Sequence, residues 1–266
     1  MPWPLLDILL ALPAYALVLF RISGLMLTAP VYGSRLIPVR IRAALTLTVA
    51  AVVFPLVRSQ APAEMTLSMA LVGGVREMMI GAIIGLAMGV LLMGAEVAGL
   101  IVGRQAGLAL ANVYDPNANQ QATIVGQVYT ISFTLLFLLV GGHRATMAAV
   151  LDTFDVIPLL SFRFEESFVL LLVEMLAAAF ILGIRLAGPV LLALFMLGTA
   201  LAFLSRTMPQ LNILTVGFTV RLLAAVAVAA LALSACQDVL LDAVWDGVEL
   251  VRATFGLDPG DTRLVS

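Results

Sequence analysis

Six apolar stretches mark this chain, most of them too long for the core of a water-soluble domain: Leu5–Ala29, Ala43–Val57, Leu71–Val102, Ile124–Gly142, Phe168–Leu204 and Ile213–Gln237. A bilayer has a hydrocarbon layer about 30 Å thick, and a helix rises about 1.5 Å per residue, so roughly 20 apolar residues cross it. Lipid offers the backbone no hydrogen-bond partner, which leaves helices and closed barrels as the permitted spanning forms. The strict alternation of a barrel strand is missing here. The chain is therefore expected to be an all-α integral membrane protein of about six apolar helical segments. Its composition agrees, with 62% of 266 residues hydrophobic and 11% charged, well above the roughly half-apolar norm of globular domains. The start, MPWPLLDI, carries no basic region ahead of the first apolar stretch, so the N-terminus is expected to be retained.

Several segments fit a simple span badly. Ala43–Val57 has 15 residues, with Pro55 near its end, and falls short. Leu71–Val102 has 32 and reaches about 48 Å as one helix. Phe168–Leu204 holds Gly188-Pro189 inside 37 residues. Proline lacks a backbone donor and clashes with the preceding turn, which predicts either two short helices or one bent one.

Charges sit inside these stretches: Asp7, Arg21, Arg76, Glu77, Glu96, Glu174, Arg185 and Arg221. A charge at a lipid-facing helix centre costs about 2.5–3.5 kcal/mol on insertion scales. For Arg21 and Arg76, near segment ends, two readings stay open: burial against protein, or a long side chain reaching the headgroups. Glu96, Glu174, Arg185 and Arg221 are expected to be buried against protein. Glu174 and Arg185 share a helical face but stand three turns apart, so their partners must come from elsewhere.

Glycines recur every fourth residue at Gly81, Gly85 and Gly89, and again at Gly99, Gly103 and Gly107. Such spacing weakens an isolated helix but lets another backbone approach closely, which matters where no hydrophobic force drives helices together. The neighbour is either this chain or another subunit. So many glycines on one long helix favour subunit packing through Gly81, Gly85, Gly89, Gly99 and Gly103. Between the apolar segments, Pro30–Arg42, Arg58–Thr66, Arg104–Ala122, His143–Ser167 and Ser205–Asn212 read as polar loops. Asp238–Thr254 reads as an amphipathic helix, with Asp238, Asp242 and Asp246 on one face and Val244, Val248 and Val251 elsewhere. Its acidic face suits solvent or a basic protein better than anionic lipid.

Chemistry is hard to find. All 14 basic residues are arginine, so a phosphate loop ending in lysine is excluded. No basic run exists to follow a phosphate backbone, and no nucleic-acid partner is expected. One histidine, His143, and one cysteine, Cys236, make no metal site. No enzyme activity and no cofactor are expected. A polytopic secondary transporter for a small solute is the competing reading, because intramembrane charges and interrupted helices mark that class too. Gly188-Pro189, however, has no counterpart in the first half of the chain.

Four segments carry a resemblance that covers nearly the whole chain in order. RISGLMLTAPVYGSRLIPVRIR spans Arg21–Arg42, GRQAGLALANVYDPNANQ spans Gly103–Gln120, LLFLLVGGHRATM spans Leu135–Met147, and SRTMPQLN spans Ser205–Asn212 within Pro189–Arg221. They resemble the FliR family, the R subunit of the flagellar export gate, whose injectisome relatives form the SctT group. RTMPQLN is the most specific piece.

The resemblance implies a subunit of the membrane-embedded type III export gate. Its partners would be P-, Q-, B- and A-type subunits of the same apparatus, its substrates unfolded flagellar proteins, and its location the bacterial inner membrane at the flagellar basal body. It also implies helical hairpins in three parts: a P-like part over residues 1–166, a Q-like hairpin over 167–237, and the acidic tail over 238–266. By position it puts a pore plug in the loop containing Gln105, Ala106, Gly107, Leu108, Asn112, Tyr114, Asp115, Pro116 and Asn117. An ordinary polar connection is the plainer reading of that loop, although loops of this length are uncommon without a task. The hairpin loop with Arg206, Pro209, Gln210 and Asn212 would offer donors to a neighbouring subunit, or else would simply cap its helices.

Overall fold

The computed structural model describes residues 4–34, 36–58, 67–107, 124–208 and 213–257. Among these it forms helices and no strand. They are α1 (Pro4–Thr28), α2 (Val39–Val57), α3 (Leu67–Gln105), α4 (Ile124–Leu139), α5 (Gly142–Val156), α6 (Glu166–Thr207), α7 (Ile213–Ala235) and α8 (Gln237–Thr254). Four described helices are long and apolar enough to cross a membrane: α2, α3 and α6, and α7 over Val216–Ala235. The pair α4–α5, bent by 60°, makes a fifth if taken as one broken span.

The structure revises or decides the sequence reading at three places. The second apolar segment is 19 residues long rather than 15, because Pro38 stands at its N-cap and the helix begins at Val39, four residues ahead of the apolar run. Proline's fixed φ suits a helix start, and the first turn accommodates Arg40 and Arg42. Gly188-Pro189 does not divide the segment, which leaves the single helix of the two alternatives: α6 runs for 42 residues with Pro189 inside it. At about 1.5 Å per residue it is roughly 63 Å long, twice a bilayer's hydrocarbon. The segment His143–Ser167 is not all loop, since α5 occupies Gly142–Val156. Its buried positions, Gly142, Thr146, Ala149, Val150, Thr153 and Phe154, follow helical periodicity, but His143, Arg144, Asp152 and Asp155 hide that stripe from a reading by hydropathy.

Two compact units make up the chain. The first comprises Met1–Val90, Leu138–Met175 and Val244–Ser266. Its core joins Leu17, Val18, Ile22 and Met26 of α1 to Ala50, Val53 and Val57 of α2, with Phe154 of α5 and Leu159 beyond it. Tyr15 adds an edge-on contact to Phe54 at 5.7 Å and donates its hydroxyl to the Leu47 carbonyl at 3.1 Å. The end of α8 belongs to this unit. Val244, Val248, Val251 and Phe255 are buried, Phe255 lies 4.9 Å from Phe168, and Arg252 pairs with Asp152 at 2.7 Å. Asp238, Asp242 and Asp246 are exposed, as the amphipathic reading of this helix expects.

The second unit comprises Leu91–Phe137 and Leu176–Ala243. Here α3 and α6 touch backbone to backbone: a Cβ on Gly94 would lie 2.6 Å from the Ala179 carbonyl oxygen, and one on Gly183 3.0 Å from that of Gly94. On the far stretch of α6, the Arg221 guanidinium from α7 covers Gly198.

The bend between α4 and α5 turns on Gly141, whose φ of 82° is left-handed and whose missing side chain leaves room for Arg144, 3.0 Å from where a Cβ would stand. A β-branched residue is poorly tolerated there. Gly141→Val is expected to cost about 1–3 kcal/mol, seen as a lower unfolding midpoint of the full chain in detergent. An unchanged midpoint would show that the bend does not need this conformation.

Candidate functional site

Within the first unit, the closest helix contact is between α1 and α3, and glycine makes it possible. A side chain on Gly24 would collide with the Met78 carbonyl, one on Gly81 with the Arg21 carbonyl, and one on Gly85 with the Thr28 hydroxyl. Gly89 comes 3.3 Å from the Thr28 carbonyl by the same measure. Thr28 also donates across the contact to the Ala82 carbonyl at 3.1 Å. The glycine spacing at Gly81, Gly85 and Gly89 is therefore satisfied by α1 of the same chain, which corrects the expectation of subunit packing there. Gly99 and Gly103 are buried as well.

One turn from Gly24 and Gly81 lies the best-buried polar group of this unit. Arg21 and Glu77 have fully buried side chains, with Nη2 at 2.5 Å from Oε2 and Nε donating to the same oxygen at 2.6 Å. Arg21 Nη1 donates to Thr153 Oγ1 at 3.1 Å, and Nη2 to the Ile157 carbonyl at 3.0 Å. The other Glu77 oxygen accepts the Leu160 amide at 2.8 Å. The guanidinium also lies 4.1 Å above the Phe154 ring. Every Arg21 nitrogen and both Glu77 oxygens thus have partners, the condition under which a buried pair is tolerated. The pair fastens α1 and α3 to the end of α5 and to the turn beyond it, where Leu160 has a φ of 68°.

Arg21 reaches protein rather than headgroups, contrary to the snorkelling alternative. The signal available beforehand was local: each charge has a glycine three or four residues on, Gly24 and Gly81 respectively. Conversely, Glu96, Glu174 and Arg185, expected to be buried, are exposed on the isolated chain, and Arg221 is half-buried. Among the described residues, none of Glu96, Glu174 and Arg185 forms an ion pair.

At its C-terminal end α3 stops in a defined way. Ala106 donates to the Val102 carbonyl at 2.9 Å and Gly107 to that of Arg104 at 3.1 Å. Gly107 then takes a φ of 91°, the left-handed conformation that commonly ends a helix. Gln105 is exposed and Ala106 buried. Leu108, Asn112, Tyr114, Asp115, Pro116 and Asn117 lie outside the described residues, as do Pro209, Gln210 and Asn212. Arg206 is exposed in the last turn of α6. Among the described residues no group of three or more His, Cys, Asp or Glu is placed to hold a metal ion.

These features define an integral membrane protein whose helices are locked together by glycine contacts and a buried ion pair. Residues 12–246 match the family described as bacterial export proteins, family 1. The chain belongs to that family. It is similar to the flagellar biosynthetic protein FliR of Bacillus subtilis, 29% identical over 86% of this chain and 87% of the relative. It is 31% identical to FliR of Pectobacterium carotovorum over 76% of this chain and 77% of that one. The Yop proteins translocation protein T of Yersinia pestis is 27% identical over 78% and 80% of the two chains.

Removing one partner of a buried pair strands the other charge, at about 3–5 kcal/mol, whereas apolar replacement of both is often nearly neutral. Arg21→Ala and Glu77→Ala are each expected to lower the unfolding midpoint of the full chain strongly. Arg21→Met with Glu77→Met together should cost less than either. Single losses that simply add in the double variant would show that the two charges do not act as a pair.

Proposed function

We propose that this chain is the R-type subunit of a flagellar type III protein export gate in the bacterial inner membrane, at the flagellar basal body. The observation that carries the reading is the family match across residues 12–246, which includes all four segments that suggested it. The relatives named above are called flagellar biosynthetic or translocation proteins, and nothing favours the small-solute permease over that class.

In this reading the chain assembles with P- and Q-type subunits beside B- and A-type ones, and helps to form and close a conduit for unfolded flagellar proteins. Residues 1–166 act as the P-like part and 167–237 as the Q-like hairpin, followed by the acidic tail. The exposed Glu96, Glu174 and Arg185 support this, because an isolated chain in lipid would leave those charges without partners. The loop after Gly107 plugs the conduit at rest. Its support is that α3 ends at a left-handed glycine, Gly107, just where the loop begins. Arg206, at the end of α6, offers donors to a neighbouring subunit.

Co-expression with P- and Q-type subunits is expected to yield one detergent-stable particle containing this chain. A chain that purifies alone and binds a small solute would overturn the assignment. Removing residues 106–121 should leave the particle intact but make the membrane leaky to small solutes; an assembled variant with unchanged permeability would rule out the plug. In the same pull-down, Arg206→Ala should weaken recovery of the partner subunits, and full recovery with normal motility would remove that role.

A further inference from the structure

Helix α2 differs from α3 and α6 in what its outward side carries. One stripe, Thr46, Ala50, Val53 and Val57, is buried, and the last three of these join the core built on α1. The rest of the helix is open: Ile41, Leu45, Leu47, Val52 and Leu56 are each at least 41% exposed. On α3 and α6 the exposed surface includes Glu96, Glu174 and Arg185. On α2 no charged residue lies between Arg42 and Arg58. The exposed polar side chain in that stretch, Thr48, donates its hydroxyl to the Ala44 carbonyl at 2.8 Å, so its proton is already engaged.

The charges that do face outward stand at the two ends. Arg40 and Arg58 are exposed, and among the described residues neither forms an ion pair. Arg58 is the C-cap and keeps helical backbone angles, φ −55° and ψ −36°, so the helical phase runs through it. Their separation of 18 positions is five whole turns, which puts both on one side of the helix, about 27 Å apart along its axis. The hydrocarbon layer of a bilayer is about 30 Å thick. Two arginines on one line, a bilayer apart and with nothing charged between them, match the two phosphate layers of a membrane. Arg42, in contrast, is half-buried and donates to the Ser34 carbonyl at 2.7 Å.

We propose that the outward side of α2 faces lipid, with Arg40 and Arg58 held on phospholipid phosphates of opposite leaflets. Acyl chains then lie along Leu47 and Val52, between the two arginines, so that hydrocarbon meets only apolar surface. Each guanidinium reaches a headgroup layer and offers a planar fork matched to phosphate oxygens. A protein neighbour would have to bring acids at the same two levels, and between them it would find no charge to pair with. The inference depends on the chain lying in a membrane and not on the gate reading. Within an assembly it makes α2 the side of the subunit that borders the bilayer.

The test places a nitroxide label at outward positions by Ile41→Cys, Thr48→Cys and Leu56→Cys in turn. The full chain carries Cys236→Ser as well and is reconstituted in vesicles of phosphatidylglycerol and phosphatidylethanolamine. Relaxation by oxygen, which concentrates in hydrocarbon, is expected to be greatest at position 48, and relaxation by a water-soluble nickel chelate greatest at positions 41 and 56. Equal access of the chelate to all three puts this side in water and overturns the proposal. So does a photoreactive residue at position 52 that captures protein in place of lipid in intact membranes of cells making the partner subunits. Native mass spectrometry of the full chain reads the phosphate contacts: Arg40→Gln with Arg58→Gln should retain fewer phosphatidylglycerol molecules than wild type, and Arg40→Lys with Arg58→Lys should keep most of them. Undiminished retention in the glutamine variant overturns the pairing of these arginines with phosphate.

Discussion

Two opposite charges placed in an apolar interior are each intolerable alone, and the architecture of the first unit follows from how Arg21 and Glu77 satisfy one another. In water the folding of such helices would be driven by burial of their apolar faces. In lipid that force is missing, because the surroundings are as apolar as the side chains, and close packing with internal hydrogen bonds must take its place. The glycine contact between α1 and α3 supplies the first and the ion pair the second. They depend on one another. Without Gly24 and Gly81 the two backbones could not approach, and without that approach the guanidinium would not meet the carboxylate.

The remaining valences of the pair extend its influence. Arg21 has donors to spare for Thr153 and the Ile157 carbonyl, and Glu77 has a second oxygen for the Leu160 amide. These are backbone or short side-chain groups at the end of α5, where a helix has unsatisfied carbonyls in any case. A turn that carries Leu160 in a left-handed conformation would otherwise hold a strained backbone with little to oppose its relaxation. Fastened to Glu77, it fixes where the chain leaves α5 and heads toward α6. One interaction thus joins residues separated by more than a hundred positions, in a region where the apolar side chains alone say little about register.

What the sequence revealed divides along the same lines. The long apolar runs declare helices, because lipid leaves few other options, and the four-residue glycine spacing declares a close contact. Neither tells which helix is the neighbour. Gly81, Gly85 and Gly89 pack on α1, a partner that spacing cannot name because a backbone approached through glycine presents no complementary sequence. Helix α5 was obscured since its buried stripe is mostly small, Gly, Ala, Thr and Val with one Phe, while His143, Arg144, Asp152 and Asp155 dominate its average polarity. Pro189 left two outcomes open, and the single helix is the one found, since a proline inside a helix removes one hydrogen bond while the turns on either side keep theirs. The charge pair was visible only as two separate anomalies, because their separation of 56 positions carries no local signal.

Burial is distributed unevenly, and that unevenness bears on how such a chain exists in a cell. About 61% of the most apolar window of α3 is buried within the chain, against 17% for α2, 33% for α6 and 22% for α7. Helix α3 is the most buried of the four. Phe195, Phe203, Leu192 and Leu231 would be content in lipid. Glu96, Glu174 and Arg185 would not, and they are exposed on α3 and α6. A surface that alternates large apolar side chains with unaccompanied charges suits neither water nor hydrocarbon. It suits neighbouring protein that brings countercharges of its own, which is the setting that an export assembly supplies and a solitary transporter does not. Arg21 and Glu77 satisfy one another within the folded chain, whereas the outward charges have no opposite charge beside them among the described residues.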